Sequence, residues 1–336
     1  MLRLIQIIHP ERGRKICKVE DATATLIDKH TTVHGLAQYV LQRELDLEKE
    51  VNGTLCEETL AYDDIYDGSS EWEILPAFDH PGEPSRCLVA GTGLTHKASV
   101  DNRQAMHEQD EKAEPEITDS MKIYQWGLEG GKPKPGKIGV PPEWFYKGCG
   151  TILRGHGQPL EVPPFAGDGG EEPEIAGAYL IDPHGKPRRI GLTIGNEFSD
   201  HITEKKNYLY LAPSKLRHCS LGPELIVRGE FEDVKGTVSI ERNEEVTWSK
   251  SISTGETNMS HHVSNLEHHH FKYDAHRMPG DAHVYFFGAD AFSYGEGVTL
   301  EDGDVMVIEW DGFGRPLRNP IRIIEGEDRL ITADPM

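Results

Sequence analysis

Two glutamates two positions apart, Glu172 and Glu174, head an apolar run, Ile175-Ala-Gly-Ala-Tyr-Leu-Ile-Asp182. In a strand, alternate side chains point to opposite faces, so residues i and i+2 share one. Two carboxylates on one face, at the mouth of a strand apolar enough to be buried, repel each other and call for a cation. A second apolar segment, Arg189-Ile-Gly-Leu-Thr-Ile-Gly-Asn-Glu197, follows the turn Asp182-Pro-His-Gly-Lys-Pro187. An antiparallel hairpin centred on His184 and Gly185 brings Glu197 opposite Glu172, and all three carboxylates then share a face. A slip of one residue sends Glu197 to the other side. Three carboxylates with no cysteine nearby favour Mg²⁺, Mn²⁺ or Ca²⁺ over zinc. Such a site leaves positions for water and a chelating substrate. The competing reading is a solvated acidic loop, Gly167-Asp-Gly-Gly-Glu-Glu-Pro-Glu174, which is the commoner fate of such a run.

Basic residues lie on either side in sequence. Lys215, in Ala212-Pro-Ser-Lys-Leu-Arg-His-Cys-Ser220, precedes an apolar strand. A lysine beside a metal-bound substrate can act as a base or pair with a developing enolate, and neighbouring cations would lower its pKa. Lys147 and Arg217 are candidates for a substrate carboxylate, and Glu143 for a proton shuttle. Spacing alone favours ordinary surface residues. Histidines 261, 262, 268, 269, 270, 276 and 283 crowd one region. No His-Glu-x-x-His and no accompanying cysteine makes this a zinc motif, so a structural or lid-contact role is expected. There is no Gly-x-Ser-x-Gly elbow and no P-loop. Ser199-Asp-His201 holds the residue types of a catalytic triad, but consecutive positions do not readily supply its geometry.

The elements that must position these residues follow from the whole chain. Its 336 residues, 37% hydrophobic, can build one large domain or two unequal ones. A net charge of −22 disfavours nucleic acid and anionic membranes as partners, and means that an anionic substrate needs local cations. No apolar stretch approaches the ~18 residues of a membrane span. The N-terminus reads as a strand rather than a signal peptide. Five scattered cysteines suggest a reducing, cytoplasmic setting. Residues 1–87 read as a small N-terminal α+β domain: strands at Leu2–Ile8 and Lys15–Val19, an amphipathic helix from Val33 to Leu45, and a linker over Pro76–Arg86. In 88–336 a strand and tight turn (88–96) lead into a polar stretch, 97–116, with the composition of a lid. Short strands separated by Gly/Pro turns then continue to the end. The expected class is α+β, predominantly β.

Seven segments in order resemble the fumarylacetoacetate hydrolase superfamily. They are Gly93-Leu-Thr-His96; Trp144-Phe-Tyr-Lys-Gly148 with Gly155-His-Gly-Gln-Pro-Leu160; Glu172-Pro-Glu174; Gly191 to Glu197; Cys219-Ser-Leu-Gly-Pro223; Leu300-Glu-Asp-Gly-Asp-Val-Met306; and Gly314-Arg-Pro-Leu-Arg-Asn-Pro320. The resemblance covers roughly residues 88–322. It implies a mixed β-roll catalytic domain with a smaller N-terminal domain, a homodimer or higher oligomer, and Mg²⁺ or Mn²⁺ on Glu172, Glu174 and Glu197. Two departures matter. Glu197 stands where the family has Asp. The family's water-activating His and Glu fall on Ser99 and Asn102, with His96 offset by three residues. The missing dyad, together with Asn258-Met-Ser-His261 and Asn265 to Tyr273, is similar to the superfamily's dehydratase branch. That branch implies water elimination from a 2-keto-3-deoxy sugar acid such as 2-keto-3-deoxy-L-arabinonate, with Lys215 and Glu143 moving the proton. The alternatives are a hydrolase or decarboxylase of an acylpyruvate-type 2,4-dioxo acid, in which His96 would serve as base, and a non-catalytic sugar-acid-binding protein.

Overall fold

The computed structural model describes residues 1–98 and 118–336. Ser99, Asn102 and most of the stretch read as a lid lie outside the described residues. The strands are β1 (Leu2–His9), β2 (Gly13–Glu20), β3 (Thr23–Ile27), β4 (Leu55–Ala61), β5 (Glu73–Ile74), β6 (Cys87–Gly91), β7 (Phe145–Cys149), β8 (Leu153–Arg154), β9 (Leu160–Val162), β10 (Pro173–Ile181), β11 (Pro187–Asn196), β12 (Cys219–Val227), β13 (Val234–Arg242), β14 (Glu245–Thr254), β15 (Ala282–Phe286), β16 (Val305–Trp310) and β17 (Leu317–Ile323). The large sheet runs β4-β3-β2-β1-β12-β11-β10-β15-β6-β7, with β5 on β1 and β8 on β12. The small sheet runs β14-β13-β16-β17-β9. β15 and β6 pair in parallel, while the hairpins around the site are antiparallel. No helix among the described residues is long and apolar enough to cross a membrane.

β10 is apolar on both sides because both faces of the large sheet are covered. Ala176, Ala178 and Leu180 pack with Leu4, Val284, Phe286 and the helix Val33–Gln42. Ile175, Tyr179 and Ile181 pack with Val238, Ile308 and Trp310 of the small sheet. The Val33–Gln42 helix is capped by Thr32, whose hydroxyl accepts from Gly35 N. It stops short of the expected Leu45, where Glu44 turns to φ 53°.

The first 87 residues join the rest through the sheet itself. β1 pairs with β12 (Leu2↔Val227, Leu4↔Leu225), and the expected boundary falls on the first residue of β6. Pro76–Arg86 does not behave as a free linker. Ala77 and Phe78 are buried, and Asp79 accepts from Gln6 Nε2 at 2.8 Å and Arg14 Nη2 at 2.7 Å.

The β10–β11 hairpin sets the site. Pairs run from Pro173↔Asn196 to Ala178↔Gly191, and Glu197 N donates to Glu172 O at 3.0 Å, so Glu172 and Glu197 face each other as expected. Beyond Ala178 the register shifts to Tyr179↔Arg189, leaving Ile190 as an extra residue on β11. This bulge separates the register at the carboxylates from that at the turn.

Candidate metal centre

Glu172, Glu174 and Glu197 each offer a carboxylate oxygen within 4.8 Å of the others, and all three side chains are buried. Glu172 immediately precedes β10 and Glu174 is its second residue. Glu197 follows β11 directly, across the pair that closes the ladder. The cluster is therefore neither a solvated loop nor a chance neighbourhood. Glu174 Oε2 accepts from Gly288 N at 2.6 Å. Glu172 Oε1 lies 2.5 Å from Lys215 Nζ and 3.2 Å from His201 Nε2. Glu197 Oε2 accepts from Lys215 Nζ at 2.8 Å and Ser199 Oγ at 3.0 Å. Glu197 Oε1 sits 2.5 Å from Lys147 Nζ as an ion pair, yet receives no well-directed hydrogen bond.

Three buried carboxylates thus face two ammonium groups. Burial and the charges of Glu197 and Glu172 push the Glu174 carboxyl well above its usual range. Burial also raises Glu197, to about 7, against the pull of Lys147 and Lys215. Glu172 is opposed by burial as well, but Lys215 and His201 hold it well below the usual value. The Lys215 ammonium resists the penalty of burial because Glu172, Glu197 and Glu204 surround it, so its pKa rises. Its near neighbours are carboxylates; the expected fall in that pKa belongs to a site holding a cation. All-oxygen donors, an excess negative charge and an under-bonded Glu197 oxygen fit a hard divalent cation.

Two sequence-based assignments need correction. Lys147 does not face a substrate carboxylate. Besides the Glu197 ion pair, its ammonium donates to Phe198 O at 2.7 Å and Lys215 O at 2.9 Å, so the fully buried group is held in the interior. Arg217 is paired with Asp200 Oδ2 at 2.6 Å. Asp200 also caps the helix His201–Lys206 and accepts from Gly167 N, so this arginine ties a loop to a helix. Glu143 precedes β7 and is half-buried, its carbonyl accepting from the Thr92 hydroxyl. His96 is buried against hydroxyls, Nδ1 at 2.9 Å from Thr95 Oγ1 and Nε2 at 3.1 Å from Thr254 Oγ1.

Three groups escaped the sequence reading. His201 stacks on Phe292 (4.8 Å, 3°) and Tyr294 (5.0 Å, 20°) while its Nε2 meets Glu172. Ser199 bridges Glu197 and Lys215. Gly288 contributes a backbone N–H. Ser199 and His201 belong to the tripeptide set aside as a triad; they serve the carboxylates instead.

The crowded histidines pack on one another. His270 Nε2 lies 3.0 Å from His283 Nδ1, and Trp144 Nε1 donates to His270 Nδ1 at 3.1 Å. Burial lowers His283 to about 3 and His261 to about 4. It likewise lowers His96 to about 3 and His156 to about 4. These folded values lie below the ~6.5 of an unfolded histidine, so the unfolded chain takes up the protons. Their contribution to stability is complete above pH ~6.5 and falls as the pH drops toward the folded values, by at most ~1.4 kcal/mol per pH unit per histidine. Glu197, raised to about 7, works in the opposite direction over the same range, so the effect is read on a single ring: the melting temperature of His283→Gln should decline less steeply from pH 6.5 to 4.5 than that of wild type. Equal slopes in thermal denaturation would contradict a buried neutral ring at His283.

No family model matches the chain. A Haloferax volcanii protein named "Probable 2-keto-3-deoxyxylonate dehydratase" is 35% identical over 72 residues, 20% of this chain and 25% of that relative, so the match spans a quarter of the curated relative's length. The solved apo structure of a 2-keto-3-deoxy-D-arabinonate dehydratase superposes with a TM-score of 0.68 at 20% identity, covering 96% of this chain and 100% of that one. The same enzyme complexed with magnesium and 2,5-dioxopentanoate gives a TM-score of 0.68 at 19% identity over the same shares. A 5-carboxymethyl-2-hydroxymuconate delta-isomerase from Mycobacterium smegmatis gives 0.56 at 18%, covering 96% of this chain and 100% of its own. Over nearly its whole length, the chain has the fumarylacetoacetate hydrolase-like α+β fold that the sequence resemblance implied.

Proposed function

We propose that the protein is a divalent-metal-dependent hydro-lyase that removes water from a 2-keto-3-deoxy sugar acid, with 2-keto-3-deoxy-L-arabinonate as the working substrate. The observation that carries this is the lysine ammonium seated on two of three converging buried carboxylates. A site for binding alone needs no such proton-transfer group. Glu172, Glu174 and Glu197 would hold Mg²⁺ or Mn²⁺, which when bound polarises a chelated 2-oxo acid and acidifies the C3 protons.

The chain's own groups do the rest. Lys215 lies beside the carboxylates, placed to pair with charge developing on the 2-oxo oxygen. Lys215 and Glu143 divide the proton transfer: one proton leaves C3, the C4 hydroxyl departs with one, and the sum is one water. Lys147 keeps Glu197 in place, and His201 and Ser199 orient the carboxylates. Elimination would leave a C3=C4 double bond; loss of a C5 proton, protonation at C3 and ketonisation of the resulting C4=C5 enol would then give a semialdehyde of a 2-oxo acid, the class of compound held in the dehydratase complex with 2,5-dioxopentanoate. A cytoplasmic homodimer or higher oligomer completes the reading.

Hydrolysis of an acylpyruvate is disfavoured by His96. Both its ring nitrogens face hydroxyls, and burial holds it at about 3, too acidic for an effective base near neutral pH. The test is a panel of 2-keto-3-deoxypentonates and acylpyruvates with and without Mg²⁺. Metal-dependent semialdehyde formation is expected; pyruvate release from an acylpyruvate would sink the dehydratase.

A further inference from the structure

The segment 137–144 between the helix Asp119–Gly130 and β7 has neither helix nor strand, yet it carries Glu143. Val140 N donates to Gly130 O at 3.1 Å and the Thr92 hydroxyl donates to Glu143 O, but most of its side-chain hydrogen bonds come from one helix, Val263–Phe271. Asn265 Oδ1 accepts from Gly139 N at 3.0 Å, and Asn265 Nδ2 donates to Val140 O at 2.9 Å. His269 Nε2 donates to Gly139 O at 3.0 Å. Trp144 Nε1 donates to His270 Nδ1 at 3.1 Å. Positions i, i+4 and i+5 of one helix thus take hold of both ends of the segment. The fit is tight at Gly139, where a Cβ would come within 2.3 Å of Gly130 O and 2.8 Å of Asn265 Oδ1.

The tautomers are fixed by chemistry. An indole N–H only donates, so His270 Nδ1 accepts and its proton is on Nε2. That N–H points to His283 Nδ1 at 3.0 Å, so His283 in turn carries its proton on Nε2. Lys272 Nζ, 3.1 Å from His269 Nδ1, fixes the neighbouring ring as an Nε2 donor. The relay is anchored to the sheet that holds the carboxylates. His283 lies on β15, beside β10, and His270 stacks on Tyr285 of the same strand (4.5 Å, 16°). The segment leads straight into the carboxylate site: Phe145, two residues after Glu143, lies under Lys215 (5.0 Å), and Lys147 meets Glu197.

We infer that the histidine-rich helix Val263–Phe271 is a clamp that positions Glu143 at the carboxylate site, with Asn265, His269, His270 and Trp144 as positioning residues. The inference rests on the reading of Glu143 as a proton-transfer group. The histidine run is then neither a metal site nor packing alone. A segment without its own backbone ladder needs external hydrogen bonds, and a displacement near 1 Å can cost about a hundredfold in rate.

The test uses the full-length protein with Mg²⁺ and follows amide hydrogen exchange of the peptide 139–146 together with kcat and KM. Trp144→Phe, a mild change at a partly exposed side chain, and His270→Leu should speed exchange in that peptide and lower kcat about ten- to hundredfold. KM and the thermal response to Mg²⁺ should stay as in wild type. His270→Asn, whose Oδ1 can take the place of Nδ1, should restore exchange and kcat together. Unchanged exchange in both Trp144→Phe and His270→Leu would overturn the clamp. So would faster exchange with wild-type kcat in variants whose Glu143→Gln counterpart is impaired. Wild-type kcat in Glu143→Gln would instead overturn the reading of Glu143, a failure told apart because the exchange measurement does not depend on turnover.

Discussion

Lys215→Met is expected to lower kcat by about a thousandfold, within the range set by loss of a positioned proton-transfer group, while the folded protein persists in Mg²⁺. Methionine fills much of the same space but removes an ammonium that touches Glu172 at 2.5 Å, Glu197 at 2.8 Å and Ser199 at 3.0 Å. The second effect follows from the same contacts. Without the ammonium, two buried carboxylates lose their shared counter-charge, and breaking a buried ion pair costs ~3–5 kcal/mol. The metal-free variant should therefore melt well below wild type. Because a divalent ion supplies the missing charge, Mg²⁺ should stabilise the variant by more than it stabilises wild type. Steady-state assays and calorimetry with and without Mg²⁺ check both arms. Turnover within tenfold of wild type would remove Lys215 from the mechanism, and an unaltered metal-free melting temperature would deny it the role of counter-ion.

The parts of this site that were legible in the sequence are those governed by local periodicity. The two-residue repeat places Glu172 and Glu174 on one face, and counting outward from His184 and Gly185 brings Glu197 across from Glu172. The count succeeds at the carboxylates even though the turn closes one residue out of step, because Ile190 is absorbed in a bulge that leaves no composition signal. Edge strands are harder to see. β4, Leu55-Cys-Glu-Glu-Thr-Leu-Ala61, ends the large sheet and carries the charges an exposed edge needs, so it reads as an acidic stretch. Charge sign was legible but charge partner was not. Lys147 and Arg217 look like substrate cations until their carboxylates, Glu197 and Asp200, are seen beside them. Gly288 is harder still: it reaches Glu174 across 114 positions with a backbone N–H that other residues also carry. The histidine run was conspicuous for its side chains, yet two of its partners, the Gly139 carbonyl and the Trp144 indole, lie well over a hundred positions away, which no motif records.

Glu174→Gln separates metal binding from the rest of the site most cleanly. Of the three carboxylates, Glu174 is the one without a lysine contact among the described residues; its Oε2 accepts a backbone N–H, from Gly288 at 2.6 Å, and it sits buried beside two like charges. In the metal-free protein that carboxylate is a source of repulsion rather than a partner in an ion pair. The amide keeps the shape and can keep the Gly288 bond through its carbonyl oxygen. Glu174→Gln should consequently melt at or above the temperature of metal-free wild type, whereas Glu172→Gln, which weakens the hold on Lys215 and His201, should melt below it. On adding Mg²⁺ wild type should overtake Glu174→Gln. At a hundred times its dissociation constant a ligand stabilises the folded state by ~2.7 kcal/mol, so wild type should gain roughly 5 °C. Glu174→Gln should gain little or nothing and turn over at less than a hundredth of the wild-type rate, the loss expected when charge stabilisation at the reacting oxygen is removed. A thermal titration with Mg²⁺ and Mn²⁺ reads this directly. A full metal response in Glu174→Gln would mean that the ion is held elsewhere, and the three-carboxylate centre would have to be abandoned whatever the fate of Lys215.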